Sequence, residues 1–279
     1  MNTKLIIVEG LPGSGKSTTA STIYEILQNY PIKSELFLEG NLDHPADYDG
    51  VACFSHSEWG LLENNFVNKK ILHSNVEYNS GLFLLPYRKL MNQDNDLYTN
   101  MDFSFIFKHD IYELPFEQYA ALAVKKWADF AETAWQNDKI YIFECSFLQN
   151  PLTIGMVKWA EAQERLTKHI ALLEEIIYKL NPVLLYVSQE DVKSSFLKAY
   201  NERPVDWSTG FIDYYTKQGF GKKHQLHGID GTIQVLQARK KLELEIYESL
   251  SIQKLILNNS SYNLQSSDIV KMLTSIHII

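Results

Sequence analysis

The chain has 279 residues, of which 45% are apolar, so it can bury a core and is not of a disordered type. Its formal net charge of −8 argues against a general DNA- or RNA-binding role, which rests on Lys and Arg neutralising phosphates. Its two cysteines, Cys53 and Cys145, show neither metal-ligand spacing nor a disulfide framework, and a reduced, cytoplasmic setting fits that usage.

The first apolar run, Lys4–Val8, is far too short for a secretory leader and reads as a buried strand. Directly after it stands Gly10-Leu11-Pro12-Gly13-Ser14-Gly15-Lys16-Ser17-Thr18, the pattern G-x-x-x-x-G-K-[ST] between a strand and a helix. The glycines let the backbone curl so that successive N–H groups face phosphate oxygens, and the positive end of the following helix faces the same anion. Lys16 is expected on the β- and γ-phosphates, the Ser17 hydroxyl on magnesium and Thr18 on the α-phosphate. ATP with Mg2+ is therefore the expected ligand pair.

Ala20, Ile23, Tyr24 and Leu27 then repeat at helical spacing. Glu35–Leu38 reads as the second strand, with Glu39 at its end. About a hundred residues separate it from the third strand candidate, far more than a helical crossover needs. This insert, 41–139, is read as helical and as the acceptor-binding part; within it Phe116, Tyr119, Ala120, Ala123, Trp127, Phe130, Ala131 and Ala134 form a long apolar stripe. Ile140–Phe143 reads as the third strand, with Glu144 at its end and Cys145 expected as a small buried hydrophobe beside the sheet.

Leu166, Ile170, Leu173, Ile177 and Leu180 mark a helix stopped by Asn181-Pro182, before a fourth strand at Val183–Val187. Ser188 and Asp191 fit a capping box opening a helix to about Tyr200. His224 and His227, in Gly219–Gly231, have no third ligand nearby and read as surface-loop residues rather than a metal site. Val235, Leu242, Ile246 and Leu250 mark a further helix, Lys254–Leu257 the fifth strand, and Ile269, Met272, Leu273 and Ile276 the last helix. No stretch approaches a membrane span. The whole predicts one α/β domain over 1–279, a P-loop NTPase three-layer fold. Its five-stranded, mainly parallel sheet carries the large insertion between its second and third strands, and about 189–231 forms a lid-like region.

In an open parallel sheet, ligands bind beyond the carboxyl ends of the strands, so Glu39 and Glu144 are both expected at the glycine loop. A phosphotransferase needs one carboxylate for the metal and one to orient the acceptor hydroxyl and take its proton. Glu144 is assigned the first role, together with Ser17, and Glu39 the second. A lid arginine would stabilise charge on the moving phosphoryl group, and Arg203, beside Pro204, is the candidate, with Lys198 the weaker choice. For the acceptor pocket the insert offers Glu58, Trp59, Tyr87, Arg88 and Tyr112; the tryptophans read as core or groove-lining, and Trp59 and Trp207, in less regular segments, are also suited to stack on a substrate ring.

Gly10–Thr18, Leu38-Glu39-Gly40, Phe143-Glu144-Cys145-Ser146 and Asn201-Glu202-Arg203-Pro204 resemble the P-loop nucleoside and nucleotide kinases, the thymidylate and deoxynucleoside kinases above all. The resemblance implies that Glu39 is the acceptor base. It departs at Glu144-Cys145-Ser146, where deoxynucleoside kinases carry Glu-Arg-Ser and thymidylate kinases Asp-Arg. A bound monophosphate would then need a cation from Arg88 or Lys89. The expected function is an ATP- and magnesium-dependent small-molecule kinase, with a P-loop ATPase or nucleotide-dependent switch acting on a protein partner as the alternative. No nucleic acid or membrane partner is expected, and a homodimer is left open.

Overall fold

The computed structural model describes residues 3–66, 68–93 and 103–279. In chain order the strands are β1 (Leu5–Glu9), β2 (Ser34–Phe37), β3 (Ala52–Phe54), β4 (Glu77–Asn79), β5 (Leu82–Leu85), β6 (Ile140–Glu144), β7 (Val183–Ser188) and β8 (Gln253–Asn258). They fall into two compact units, one made by the chain up to Glu39 with Val124–Ile279, the other by Gly40–Ala123.

The first unit is a mixed α/β fold. Five strands form one all-parallel sheet in the order β2-β6-β1-β7-β8. These are the five runs legible in the sequence, shifted by a residue or so at their ends. Every residue of β1 and β6 is buried, as a sheet covered on both faces requires. One face packs Ile6, Val8, Ile142 and Leu185 against Ala20, Ile23 and Leu27 of helix α1 (Lys16–Gln28) and Ile269 and Leu273 of the helix Ser266–Ser275. On Phe143, Trp127 and Phe130 of the helix Phe116–Gln136 pack at ring distances of 5.8 and 4.6 Å. Each such fully buried side chain contributes about 1.5–3 kcal/mol by leaving water.

The helix ends have local causes. The helix Gln163–Ile177 buries Leu166, Ile170, Leu173 and Ile177, and the chain leaves it through Asn181 in the left-handed region (φ 49°), followed by Pro182. The helix Val192–Glu202 is capped by Asp191, whose carboxylate accepts the Ser194 N–H at 3.1 Å, while Ser188 stays in β7. The expected capping pair is thus corrected to Asp191 acting on its own helix. Gly219–Gly231 is not an open loop either: a short helix spans Gly219–Lys223, where His224 lies against Phe220, and the next helix starts at Gly228.

Arg239 is fully buried. Its guanidinium donates to Glu243 (2.7 Å), to the Thr153 hydroxyl and to the Tyr215 hydroxyl (both 2.8 Å), while Tyr186 donates to the same Glu243 at 2.7 Å. A pair so deeply buried is tolerable only with such hydrogen bonding, and it ties the helix Gly228–Ser249 to β7.

The second unit is not purely helical. β3, β5 and β4 form an antiparallel sheet in that order, which the sequence reading did not anticipate. Runs of three or four residues are too short to display an alternating pattern. Its core gathers Ala52, Phe54, Trp59, Leu62, Leu72, Leu85, Tyr87 and Ile106. Among the described residues, no helix is long and apolar enough to cross a membrane.

Candidate active site

The glycine loop hangs between β1 and α1, and its shape demands glycine. Gly13 and Gly15 have φ of 84° and 94°, and a Cβ on Gly10 would lie 2.4 Å from the Val187 carbonyl oxygen. Leu11 is buried in a cluster with Val192, Phe196 and Tyr215, which anchors the loop from below. The Ser14 N–H closes a turn onto the Leu11 carbonyl at 3.1 Å. Among the described residues the N–H groups of Gly13, Gly15, Lys16 and Ser17 donate to nothing, and no side chain caps α1. Open N–H groups at a helix N-terminus form a site for an anion.

Lys16 is 5% exposed. Its ammonium stands 3.8 Å from Glu144 Oε1, too far for a hydrogen bond, and it makes none among the described residues. Burial alone would favour its neutral form; the surrounding Cys145, Glu39, Glu144 and Glu9 outweigh that and hold it charged, well above the ordinary lysine range. The Cys145 thiol is itself pushed far up by burial, so at neutral pH the carboxylates carry this effect. The site therefore presents a buried cation with unused donors beside unused backbone N–H groups.

The two carboxylates expected at the strand ends meet there. Val8 pairs with Glu144 across β1 and β6, which sets Glu144 beside the loop. Glu144 accepts the Ser17 hydroxyl at 2.5 Å and the Glu39 N–H at 3.1 Å. Glu39 sits in the turn beyond β2 and is exposed, yet its carboxylate takes two donors: Gln149 Nε2 at 2.8 Å and the Cys145 thiol at 3.4 Å. Ligand atoms of Glu39, Glu144 and Cys145 lie within 4.8 Å of one another. The donor chemistry fits magnesium, which takes oxygen ligands: Ser17 and Glu144 supply them, while the protonated thiol does not compete.

Cys145 is more than the apolar filler expected of it. It holds a left-handed backbone (φ 73°) at the end of β6, and its thiol is directed at Glu39. Four further residues escaped the sequence reading. Glu9, the last residue of β1, is fully buried and accepts the N–H groups of Phe147 (2.7 Å), Leu148 (2.9 Å) and Gln149 (3.0 Å). Burial pushes its carboxyl up to about 7, with those three N–H donors pulling the other way. Gln189 and Asn259 donate to the Ser14 carbonyl at 3.1 and 2.9 Å and brace the loop from behind. Gln149 is the fourth. Glu9, Gln189 and Asn259 stand at or just past the carboxyl ends of β1, β7 and β8, so the rule that located Glu144 applies to them too.

The remaining assignments sort differently. Thr18 is exposed on the first turn of α1. Pro12 lies in the loop, half-buried. In the lid region, the helix Val192–Glu202 packs on the loop: a Cβ on Gly13 would lie 3.2 Å from both Ala199 Cβ and the Ser195 carbonyl oxygen. Arg203, at its end, is exposed and stacks over Trp207 at 4.2 Å, so Trp207 is engaged by the arginine. Lys198 pairs with Glu202 and lies over Tyr262.

In the second unit, Trp59 is not a free ring. It lies buried in the helix His56–Asn65, stacked on Phe83 at 4.8 Å and 6°, because an indole of that size fills the unit's small core. Glu58 caps the same helix through Ser55 and faces His109 at 3.3 Å. Asp110 accepts the Tyr87 hydroxyl at 2.6 Å. Tyr112 donates to Asp47 at 2.6 Å, and Arg88 to Asp49 at 2.7 Å. Glu58, Trp59, Tyr87, Arg88 and Tyr112 each have a partner inside their own unit.

No family model matches the chain, and no curated protein matches it in sequence. Among solved structures it is similar to a thymidylate kinase from Candida albicans, with 13% identity over 99% of this chain and 92% of that one and a TM-score of 0.44.

Proposed function

We propose that the protein is an ATP- and magnesium-dependent phosphotransferase of the nucleoside and nucleotide kinase type, acting on a small acceptor. The observation that carries this reading is the buried Lys16 ammonium, which makes no hydrogen bond among the described residues, beside the open N–H groups of the glycine loop. Donors gathered at one place without protein partners suit an anionic ligand, and a polyphosphate would engage all of them at once.

In this reading the loop N–H groups and Lys16 bind the β- and γ-phosphates. Ser17 and Glu144 would hold magnesium, which when bound would supply positive charge against the phosphate oxygens. The acceptor oxygen forms a bond to the γ-phosphorus as the bond to the bridging oxygen breaks, and ADP leaves. Glu39 orients the acceptor hydroxyl and takes its proton. The carboxylate pair supports this division, because Glu144 is committed to Ser17 while Glu39 is exposed.

The test is a transfer screen. Purified protein, γ-labelled ATP and magnesium are incubated with nucleosides, nucleoside monophosphates, sugars and aminoglycosides, and labelled product is resolved. The expected result is one acceptor class labelled at a rate far above hydrolysis. Stoichiometric ATP binding with label passing to no acceptor would turn the reading to an ATPase.

A further inference from the structure

Glu39 raises a physical problem. It stands on a turn beyond the end of β2 and is exposed, and an exposed carboxylate on a turn samples several rotamers. A group that must meet an acceptor hydroxyl needs one. Gln149 addresses this. Its Nε2 donates to Glu39 Oε1 at 2.8 Å, while its own Oε1 is buried with no hydrogen-bond partner among the described residues. The amide is thus oriented for Glu39 and for nothing else around it, since the flipped amide would set oxygen against oxygen.

Gln149 is itself held. It is 5% exposed and begins the short helix Gln149–Leu152, in the turn that follows β6. The Glu9 carboxylate, at the last residue before the glycine loop, gathers the N–H groups of Phe147, Leu148 and Gln149. One hydrogen-bonded chain therefore runs from the root of the phosphate loop, through Glu9 and Gln149, to Glu39. The Cys145 thiol adds a second donor to the other Glu39 oxygen.

We infer that Gln149 is a positioning residue for the Glu39 carboxylate, and that Glu9 sets the turn that places Gln149, so that the phosphate loop and the acceptor base share one rigid frame. The inference rests on the kinase reading for the role of Glu39. Its physical content is that the transfer step, not nucleotide binding, depends on Gln149.

The experiment is a double-mutant cycle on the full chain. Wild type, Gln149→Leu, Glu39→Gln and the double variant are assayed with γ-labelled ATP and magnesium. The acceptors are thymidine, thymidine 5′-monophosphate and water, the last read as phosphate release. ATP affinity is measured by calorimetry with a non-hydrolysable ATP analogue. Gln149→Leu should lower kcat by about 10-fold or more, as a displaced reacting group does, with analogue affinity within about twofold of wild type. The double variant should be no slower than Glu39→Gln alone, because the amide then has no carboxylate to place. Gln149→Glu, which keeps size and polarity but sets a second carboxylate against Glu39, should be slower still, and it serves if the leucine variant folds poorly. Unchanged kcat in both Gln149 variants, or losses that multiply with that of Glu39→Gln, would overturn the inference. Absence of analogue binding by the wild type would instead overturn the kinase reading beneath it.

Discussion

The two units treat their polar residues in opposite ways. In the second, each residue offered for acceptor binding is satisfied at home: Tyr87 by Asp110, Tyr112 by Asp47, Arg88 by Asp49, and Glu58 by Ser55. In the first, polar groups are gathered and left wanting. Lys16 is buried with no hydrogen bond among the described residues, loop N–H groups point at nothing, and Ser17 and Glu39 converge on Glu144. Satisfied buried networks rigidify a fold, whereas unsatisfied ones sit where a ligand completes them. Substitutions at the glycine loop and its carboxylates should therefore fall on chemistry, and those at the second unit's paired residues on stability.

Glu39→Gln gives the largest expected contrast. It keeps shape and removes the proposed base, so transfer to the acceptor should slow by ~10²–10⁴-fold while ATP affinity is kept. Parallel steady-state kinetics and calorimetry read the split, and an equal loss of ATP affinity would place Glu39 in the nucleotide site instead. Trp59→Ala should do the reverse. Emptying the centre of the second unit's core costs about 3–5 kcal/mol in denaturant unfolding. A variant that unfolded like wild type would free Trp59 for the substrate-stacking role once expected of it.

The next contrast is in pH. Glu9 has its carboxyl pushed from the ordinary 4.5 to about 7, chiefly by burial. The folded chain thus holds a proton that the unfolded chain has released. Its stabilising contribution is fully present below pH 4.5 and is lost as pH rises through 7. Unfolding free energies of Glu9→Gln across that window should lack this decline, and a wild-type slope in the variant would refute the protonation behaviour. Arg88→Ala should have the smallest effect on folding. Its partner Asp49 is paired at a half-exposed guanidinium, so under about 1 kcal/mol is lost. Any rise in acceptor KM with unchanged stability then reports binding alone.

What the sequence disclosed followed from signal length and local chemistry. Five short apolar runs, a nine-residue loop pattern and two carboxylates at or just past strand ends were readable because each carries its own physical signature, although the outer strands β2 and β8 are only half-buried or exposed. β3, β4 and β5 span three or four residues apiece and leave none. Gln149 was silent for another reason: its role comes from Glu9, 140 positions earlier in the sequence, and from Glu39, 110 earlier, and no local pattern encodes such pairs. Trp59 shows the converse. Its neighbours carry no clear helical rhythm, yet the capping box at Ser55 and Glu58 is in the sequence and marks the start of the helix that buries it.

The most direct test of the central claim is a calorimetric titration with ATP, with and without magnesium, of wild type and Lys16→Ala. The account predicts saturable one-to-one binding that magnesium strengthens. Affinity should fall at least ~10-fold when the ammonium is removed, as loss of a charge-assisted contact of about 1.5–3 kcal/mol implies. Equal affinity in Lys16→Ala, or binding indifferent to magnesium, would contradict it.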